Sequence, residues 1–211
     1  MPSEPGLRER KKARTHHAIS EAAIALFLQR GYDAVSVSEI AAAAEVSKRT
    51  LFSYFPSKDE LVLHRFADHQ DEVARVVRGR PPGVSPLDAL REHIRSALGR
   101  RDPITGLCDH PAVVAFYRLV SDTPALGAAM ARYLTAGEDA LTAALHESAP
   151  DTPELAARLA AGQILFALRT LGHANQARIA AGATADELAP VAAAEAELAF
   201  DQLSSGLARY R

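Results

Sequence analysis

The sequence is poor in cysteine, in strand-like alternation and in long apolar runs. Its single cysteine, Cys108, excludes an internal disulfide framework and is typical of a reducing compartment. No apolar run approaches the roughly 18 residues that a membrane-spanning helix needs. The polar, basic start of the sequence also lacks the hydrophobic segment of a secretion signal. We therefore expect a cytoplasmic protein with no membrane partner.

Motifs typical of enzymes and metal centres are lacking too. The sequence contains no glycine-rich phosphate loop after a strand, no nucleophile elbow and no Cys/His cluster with metal-ligand spacing. His64 and His69 are five residues apart, which does not place two ligands on one helix face. We expect no catalytic residues, no cofactor and no metal site, and so no enzymatic activity.

Helix-forming residues and alanine dominate what is present. With 48% hydrophobic residues in a chain of 211, there is enough apolar surface for a real core, and the predicted class is all-α. Net charge is only −2, but residues 1–58 carry nine Lys or Arg and six Asp or Glu, against fifteen and twenty in residues 59–211. This asymmetry indicates that one end meets a polyanion.

The basic excess lies in two places. One is Lys48, Arg49 and Lys58; the other is a cluster ahead of the first periodic helix, comprising Arg8, Arg10, Lys11, Lys12 and Arg14. For this second cluster, a merely solvated terminus is the alternative interpretation.

The densest helix signals lie between Ser36 and Leu61. Ser36 and Glu39 have the spacing of a capping box, in which each side chain bonds a backbone N–H at the helix start. Ser47 with Thr50 predicts a second start, and Ser57 with Glu60 a third. Pro56 cannot continue a helix and disfavours helical backbone at the residue before it, so the middle helix is predicted to end at Phe55.

The faces of this middle helix differ in character. Leu51 and Phe55 are one turn apart and point to a core, whereas Arg49 and Ser53 remain outside with Lys48 and Thr50. Two short helices joined at 44–46, the second basic on its outer face, form a helix-turn-helix whose second helix can enter a DNA major groove. An ordinary helical corner with solvated charges is the alternative.

A first helix precedes this pair. Its apolar residues follow the amphipathic spacing i, i+3, i+4, i+7 from Ile19 to Phe27, and Gly31 ends it. The three helices are expected to close around Phe27, Ile40, Leu51 and Phe55.

These residues together resemble the DNA-binding domain of the TetR family of bacterial transcriptional regulators. The matching positions are Ile19, Ala22, Ala23, Leu26, Phe27, Gly31, Tyr32, Ser36, Val37, Ile40, Ala41, Ala44, Val46, Ser47, Thr50, Leu51, Phe52, Tyr54, Phe55, Ser57, Lys58 and Leu61. The resemblance implies that Ser36, Tyr54 and Lys58 hold phosphates and that Ser47, Lys48, Arg49, Thr50 and Ser53 lie at the DNA, mostly toward base edges. For Tyr54, a core position is the alternative.

Three positions depart from the family pattern. Glu45 stands at a turn position that is often glycine, so its backbone is expected to cost about 1 kcal/mol. Phe52 replaces a common tyrosine and removes a hydroxyl contact to phosphate. Ser53 is small, so base reading is expected to depend on Lys48, Arg49 and Thr50.

The remainder is predicted to be helical as well. We expect a DNA-binding domain at 1–57, a connector helix at 58–78 and an effector-binding and dimerisation domain at 79–211, because the segment Gly79–Gly83 contains two prolines and cannot be helical. Within the last domain, helices are predicted to start at Pro86, Pro111, Pro124 and Pro153, and a short element to span Ile104–Cys108. A final helix is expected to start at 183–187, tolerating Pro190 only near its beginning.

The last two helices predict a dimer. The first, ending near Ala180, is apolar around most of its circumference, and the second carries a stripe that reaches Leu207. Such a pair is expected to form a four-helix interface with a second copy, with Ala156, Ala160 and Gly162 allowing close approach. Burial of both helices inside one subunit is the alternative.

A ligand pocket is also expected in this domain. Aromatic and polar residues that could line it are Phe116, Tyr117, Tyr133, Phe166, Arg169 and His173. Arg169 and His173, one turn apart on an apolar helix, could meet a polar group on a mostly hydrophobic effector. Ordinary core packing, or an ion pair of Arg169 at the dimer interface, is the alternative.

The sequence therefore predicts a ligand-responsive, homodimeric DNA-binding regulator, most simply a repressor of a palindromic operator. The competing hypothesis is a helical enzyme or scaffold with a helix-turn-helix-like corner that it does not use.

Overall fold

The structure is a computed structural model that describes residues 6–206, without the side chains of 7–10, 67 and 68. Leu207 and the side chains of Arg8 and Arg10 therefore lie outside the described part. The α-helices are α1 (Leu7–Arg30), α2 (Val37–Ala43), α3 (Lys48–Tyr54), α4 (Glu60–Leu63), α5 (Glu72–Gly79), α6 (Pro86–Gly99), α7 (Pro111–Asp122), α8 (Pro124–Ser148), α9 (Glu154–Ala180) and α10 (Ala185–Gly206). Between residues 6 and 206 there is no β-strand, which confirms the all-α class.

The chain divides into two compact units. The first contains the chain up to Phe66 together with Ala115–Met130, and the second contains Ala67–Val114 and everything from Ala131 onward. Helices α7 and α8 each contribute residues to both units. The domain bounds at 57 and 78 stay a prediction, to which the structure adds that 115–130 groups with the N-terminal helices.

The first unit has the predicted three-helix core. Phe27, Ile40, Leu51 and Phe55 are each at most 1% exposed and belong to one cluster. Gly31 ends α1 with a left-handed φ of +84°, and its N–H donates to the Phe27 carbonyl at 2.8 Å. The same cluster includes two residues far along the chain, Phe116 and Leu126, which periodicity around the helix-turn-helix did not predict.

The predicted connector helix from Ser57 to Arg78 is wrong as one continuous element. Residues 60–63 form α4, residues 64–69 form a 3-10 helix, and α5 begins only at Glu72. Ser57 still bonds the predicted partner, because its hydroxyl accepts from the Glu60 N–H at 3.4 Å, but the helix starts at Glu60. Gln70, at the break, donates through its amide to the Tyr133 carbonyl at 3.4 Å, an interaction between residues 63 apart that local spacing cannot reveal.

The helix starts predicted from prolines are confirmed within one residue. Pro86, Pro111 and Pro124 each open a helix, and α9 starts at Glu154, directly after Pro153. The short element is a 3-10 turn over Pro103–Thr105, shorter than expected. Pro190 is the sixth residue of α10, just past the first turn, so the helix lacks the N–H that would donate to the Asp186 carbonyl.

The second unit has two apolar clusters. The larger one joins α5, α6, α8, α9 and α10 through residues such as Val77, Leu90, Leu145, Ile164 and Phe200. The smaller one joins the ends of α6, α9 and α10 around Leu98, Leu107, Ile179 and Ala192. Of the helices that the structure describes, none is long and apolar enough to cross a membrane.

The turn at 103–107 lies directly against α9. Gly106 has φ +71°, and a Cβ added there would be 2.1 Å from the Gly172 carbonyl oxygen. Asn175, one turn further on, is buried and donates to the Thr105 carbonyl at 3.0 Å. Only a glycine allows this backbone-to-backbone contact.

Candidate nucleic-acid interface

Helix α2 begins with the predicted capping box. The Ser36 hydroxyl accepts from the Glu39 N–H at 3.3 Å, and the Ser36 N–H donates to the Glu39 carboxylate at 2.8 Å. Arg30, at the end of α1, donates to the same carboxylate at 2.8 Å. The hydrogen bonds from Ser36, reinforced by Arg30, lower the pKa of Glu39 to about 2. The box thus keeps a charged acceptor at the helix start and connects α2 to α1.

The turn between α2 and α3 has the predicted strained residue. Glu45 adopts φ 54°, in the left-handed region, and the following Val46 N–H donates to the Ala41 carbonyl at 2.9 Å. A non-glycine residue in this region costs about 1–2 kcal/mol. The turn is held by its backbone hydrogen bonds despite the side chain.

Helix α3 is short because both of its ends are fixed. The Ser47 hydroxyl accepts from the Thr50 N–H at 3.0 Å and caps the start. At the other end, the Phe55 N–H donates to the Leu51 carbonyl at 2.9 Å, and Pro56 prevents another turn. Leu51 and Phe55 are buried, so the orientation of the helix about its axis is set by the core.

The opposite face of α3 is open. Lys48, Arg49 and Ser53 are exposed and Thr50 is half-buried. The three hydroxyls bond locally: Ser47 and Thr50 lie 2.8 Å apart, and Ser53 donates to the Thr50 carbonyl at 2.6 Å. In the part of the chain that the structure describes, Lys48 and Arg49 form no ion pair. The helix therefore presents two cations on a face whose polar neighbours already have partners.

The side chain of Lys58 lies against the turn after α1 rather than pointing outward. Its Nζ donates to the Tyr32 carbonyl at 2.5 Å and is 4.2 Å from the centre of the Tyr32 ring. Burial lowers the pKa of Lys58 and raises that of the Tyr32 hydroxyl to about 12, the latter with help from Asp59 and Asp33. A phosphate contact by Lys58 thus competes with a bond to the backbone of the turn after α1.

Tyr54 and Ser36 are the remaining predicted phosphate contacts. Tyr54 is half-buried and packs against the first cluster, with its ring 6.3 Å from that of His16. Ser36 is exposed, but both its hydroxyl and its N–H take part in the capping box. Each of these residues therefore also has a structural role.

Sequence reasoning missed a histidine pair beneath α3. His16 of α1 stacks on Phe55 with ring centres 4.3 Å apart, and His64 meets His16 edge-on at 4.8 Å. The buried Ser20 hydroxyl donates to the Leu61 carbonyl and lies 3.3 Å from His64 Nδ1. Burial, followed by the charge of His16, lowers the pKa of His64 to about 4. The only sequence signal was that His16 precedes Ser20 by one turn on the buried face of α1.

The predicted ligand-binding residues are divided between the two units. Phe116 is buried in the first unit, where its ring lies 5.6 Å from Phe66 and 6.2 Å from Tyr117. Tyr133 lies in the second unit beside Gln70. Phe166, Arg169 and His173 are exposed on α9, where the Arg169 guanidinium lies 5.6 Å from the Phe166 ring. Three of the six therefore share one surface of α9.

Exposed apolar side chains occur on α10 as well as on α9. Large apolar side chains are exposed on both helices: Leu155, Leu159, Phe166, Val191 and Leu198. Gly162 lies between them, with no atom within 4 Å of a Cβ added there. Ala160, which was expected to face a partner, is instead buried inside the subunit, because α9 turns that side toward the larger cluster. We refer to the exposed set as the α9/α10 face.

Capped helices, a short turn and an outward basic second helix define the first unit as a helix-turn-helix DNA-binding domain. The family model described as bacterial regulatory proteins, tetR family, matches residues 19–64. The chain is 38% identical to the HTH-type transcriptional regulator TcmR of Streptomyces glaucescens over 139 residues. The aligned residues make up 65% of this chain and 60% of TcmR. Residues 19–64 are thus similar to the part of the TetR-family regulators that this model describes. The chain spans about three fifths of the length of TcmR.

Solved structures support the same fold. NalD, the secondary repressor of the MexAB-OprM multidrug efflux pump in Pseudomonas aeruginosa, aligns over 89% of this chain and 96% of NalD, with 17% identity and a TM-score of 0.58. A complex of SmeT with triclosan aligns over 92% of this chain and 91% of SmeT, with 18% identity and a TM-score of 0.55. At these identities, the likeness concerns the fold.

Proposed function

We propose that this protein is a ligand-responsive transcriptional regulator, a repressor that binds a palindromic DNA operator as a homodimer. The observation that carries the proposal is α3, which is capped at both ends, anchored by Leu51 and Phe55, and displays Lys48 and Arg49 outward. A helix held in this way can enter a major groove without first ordering itself. The match of residues 19–64 to the tetR family model and the similarity to TcmR support the same conclusion.

Arg49 is the proposed base reader. A guanidinium can donate two parallel bonds to guanine O6 and N7, worth about 1–3 kcal/mol of discrimination. Lys48, Thr50 and Ser53 flank it on the outer face, and Ser47 is proposed to lie at the DNA beside them. Ser36, Tyr54 and Lys58 are the proposed contacts to phosphates. For Lys58 this role requires that its Nζ bond a phosphate in addition to, or in place of, the Tyr32 carbonyl.

The proposed dimer uses the α9/α10 face. Five large apolar side chains exposed on two neighbouring helices favour burial against an identical face, which would give a four-helix arrangement. Gly162 leaves room for close approach. Two α3 helices would then read half-sites about 34–36 Å apart.

The proposed effector is a small hydrophobic or amphipathic molecule bound in the second unit. The printed descriptions of SmeT with triclosan, and of NalD as a repressor of a multidrug pump, support this class. Tyr133, Phe166, Arg169 and His173 remain the proposed contacts in this unit, and Phe166 also belongs to the α9/α10 face. Phe116 and Tyr117, which were predicted with them, belong to the first unit. The effector shifts DNA binding only if it prefers one conformation of the dimer over another.

DNA binding is tested with duplexes selected from a random pool by the purified protein. We expect Arg49→Ala to relax preference at one base pair, and Lys58→Ala to weaken binding to all sequences and lower the salt slope by about one. Arg95→Ala is the matched control, because Arg95 is an exposed cation of the second unit that pairs with Glu92. Failure of the wild-type protein to select any duplex would overturn the proposal.

Lys58 needs a second measurement because it also bonds the Tyr32 backbone. If Lys58 contributes only to stability, Lys58→Ala will lower the free energy of unfolding and leave the salt slope of DNA binding unchanged. That result would remove Lys58 from the interface while leaving Arg49 in it.

The dimer is tested by sedimentation of Leu159→Glu and Phe166→Glu. We expect both variants to be monomers, because each substitution places a charge on the α9/α10 face of both subunits, where it would be buried in the proposed interface. Leu134→Glu is the control, since Leu134 is exposed to a similar degree on α8. Dimers that persist in both variants would contradict the proposed interface.

A further inference from the structure

The outer face of α3 carries a large apolar side chain among its cations. Phe52 is 48% exposed, and in the described residues it packs into none of the three buried clusters. A side chain that is half exposed and belongs to none of these clusters contributes little to the core. It is also unlike its surroundings, since Lys48, Arg49 and Ser53 share its face.

Helix geometry places Phe52 within the surface that would meet DNA. It follows Lys48 by one turn and Arg49 by three residues, so the three side chains are neighbours on the helix surface. Leu51 and Phe55 hold the opposite side in the core and fix this orientation. A major groove that admits Lys48 and Arg49 therefore admits the Phe52 ring as well.

The chemistry of the ring limits what it can contact. A phenyl group neither donates nor accepts a conventional hydrogen bond, so it cannot hold a phosphate or read a base edge through polar atoms. The one apolar group that a standard base pair displays in the major groove is the C5 methyl of thymine. Burying that methyl against the ring is favourable, and no other base offers an equivalent group.

We propose that Phe52 is a specificity-determining residue that recognises the C5 methyl of thymine within the operator half-site. The proposal rests on the proposed function, because it assumes that α3 enters a major groove. It adds a preference that the basic side chains cannot supply, since Lys48 and Arg49 read hydrogen-bond acceptors.

The test replaces thymine by uracil, which lacks only the C5 methyl, at one position of the selected duplex at a time. For the wild-type protein we expect one position per half-site at which uracil weakens binding by about fourfold. Uracil at that position in both half-sites should weaken binding by about fifteenfold. These ratios correspond to about 0.8 kcal/mol per methyl-sized group. The other thymines are expected to tolerate the exchange.

The assignment to Phe52 comes from repeating the scan with variants. In Phe52→Ala the penalty at that position disappears, and in Phe52→Leu, which keeps an apolar side chain, part of it remains. Leu28→Ala, which removes an exposed apolar side chain from α1, is expected to keep the full wild-type penalty. Because Phe52 is exposed, the variants should fold, and thermal unfolding of each confirms this.

The outcomes separate this inference from the proposed function. If the wild-type protein selects a duplex but uracil is tolerated everywhere, or if the penalty is the same in Phe52→Ala, the role of Phe52 is refuted and the regulator remains. If no duplex is selected, the proposed function fails and the inference fails with it.

Discussion

Replacing Gly106 with alanine is expected to destabilise the second unit strongly. The added Cβ would lie 2.1 Å from the Gly172 carbonyl oxygen and 3.1 Å from the Gln176 backbone nitrogen, both in the backbone of α9. Neither can rotate away. Crowding of this kind costs about 1–3 kcal/mol, and the left-handed φ of +71° adds about 1–2 kcal/mol for a residue with a Cβ.

A smaller, opposing effect comes from the unfolded chain, which loses about 0.4–1 kcal/mol of conformational freedom on a Gly→Ala change. The net expectation is a loss of about 2–4 kcal/mol in the free energy of unfolding. For a chain of this size, this corresponds to a fall in Tm of about 5–15 °C.

Thermal and urea unfolding of two control variants separate the causes. Gly83→Ala has a similar backbone, φ +83°, with nothing within 4 Å of its Cβ, so it should show only the smaller conformational loss. Gly172→Ala adds a methyl to the other partner of the contact, where the nearest atom is 3.6 Å away, and should be close to neutral. A Gly106→Ala protein as stable as Gly83→Ala would refute the close contact between the turn and α9.

Three further predictions concern the first unit. Glu45→Gly should raise the free energy of unfolding by up to about 1 kcal/mol, because it relieves the left-handed φ; a loss of stability in urea unfolding would contradict this. Ser36→Ala should lower the free energy of unfolding by about 1 kcal/mol through loss of the cap of α2. An unchanged midpoint of urea unfolding would show that Arg30 suffices to hold the helix start. His64 has a pKa lowered from 6.5 to about 4, so the stability it contributes is present above pH 6.5 and is lost as the pH falls toward 4. In His64→Gln this part of the pH dependence should vanish, and an identical pH profile of unfolding would argue against the buried pair.

The helix-turn-helix could be predicted from sequence because its determinants are local. A capping box depends on residues three apart, and Pro56 acts on its immediate neighbour, so Ser36, Ser47 and Phe55 marked the helix ends correctly. The strained turn at Glu45 followed from the resemblance to a family in which this turn position is often glycine. These effects need no knowledge of the rest of the fold.

The connector and the candidate ligand site could not be predicted in the same way. Apolar spacing from Ser57 to Arg78 suits a continuous helix, but the observed break includes Gln70, whose amide bonds the Tyr133 backbone. Phe166 and Arg169 share an apolar helix, and periodicity alone does not reveal which of its sides faces the core.

The sequence by itself determined where α2 and α3 begin, where α3 ends and which face of α3 carries Lys48 and Arg49, because capping, proline chemistry and helical spacing act within a turn or two. Only the tertiary structure decided that His64 lies against His16, that Phe116 belongs to the core of the first unit, and that Phe166 stays exposed. Those outcomes depend on which distant surfaces compete to be buried, and a linear pattern does not contain that information.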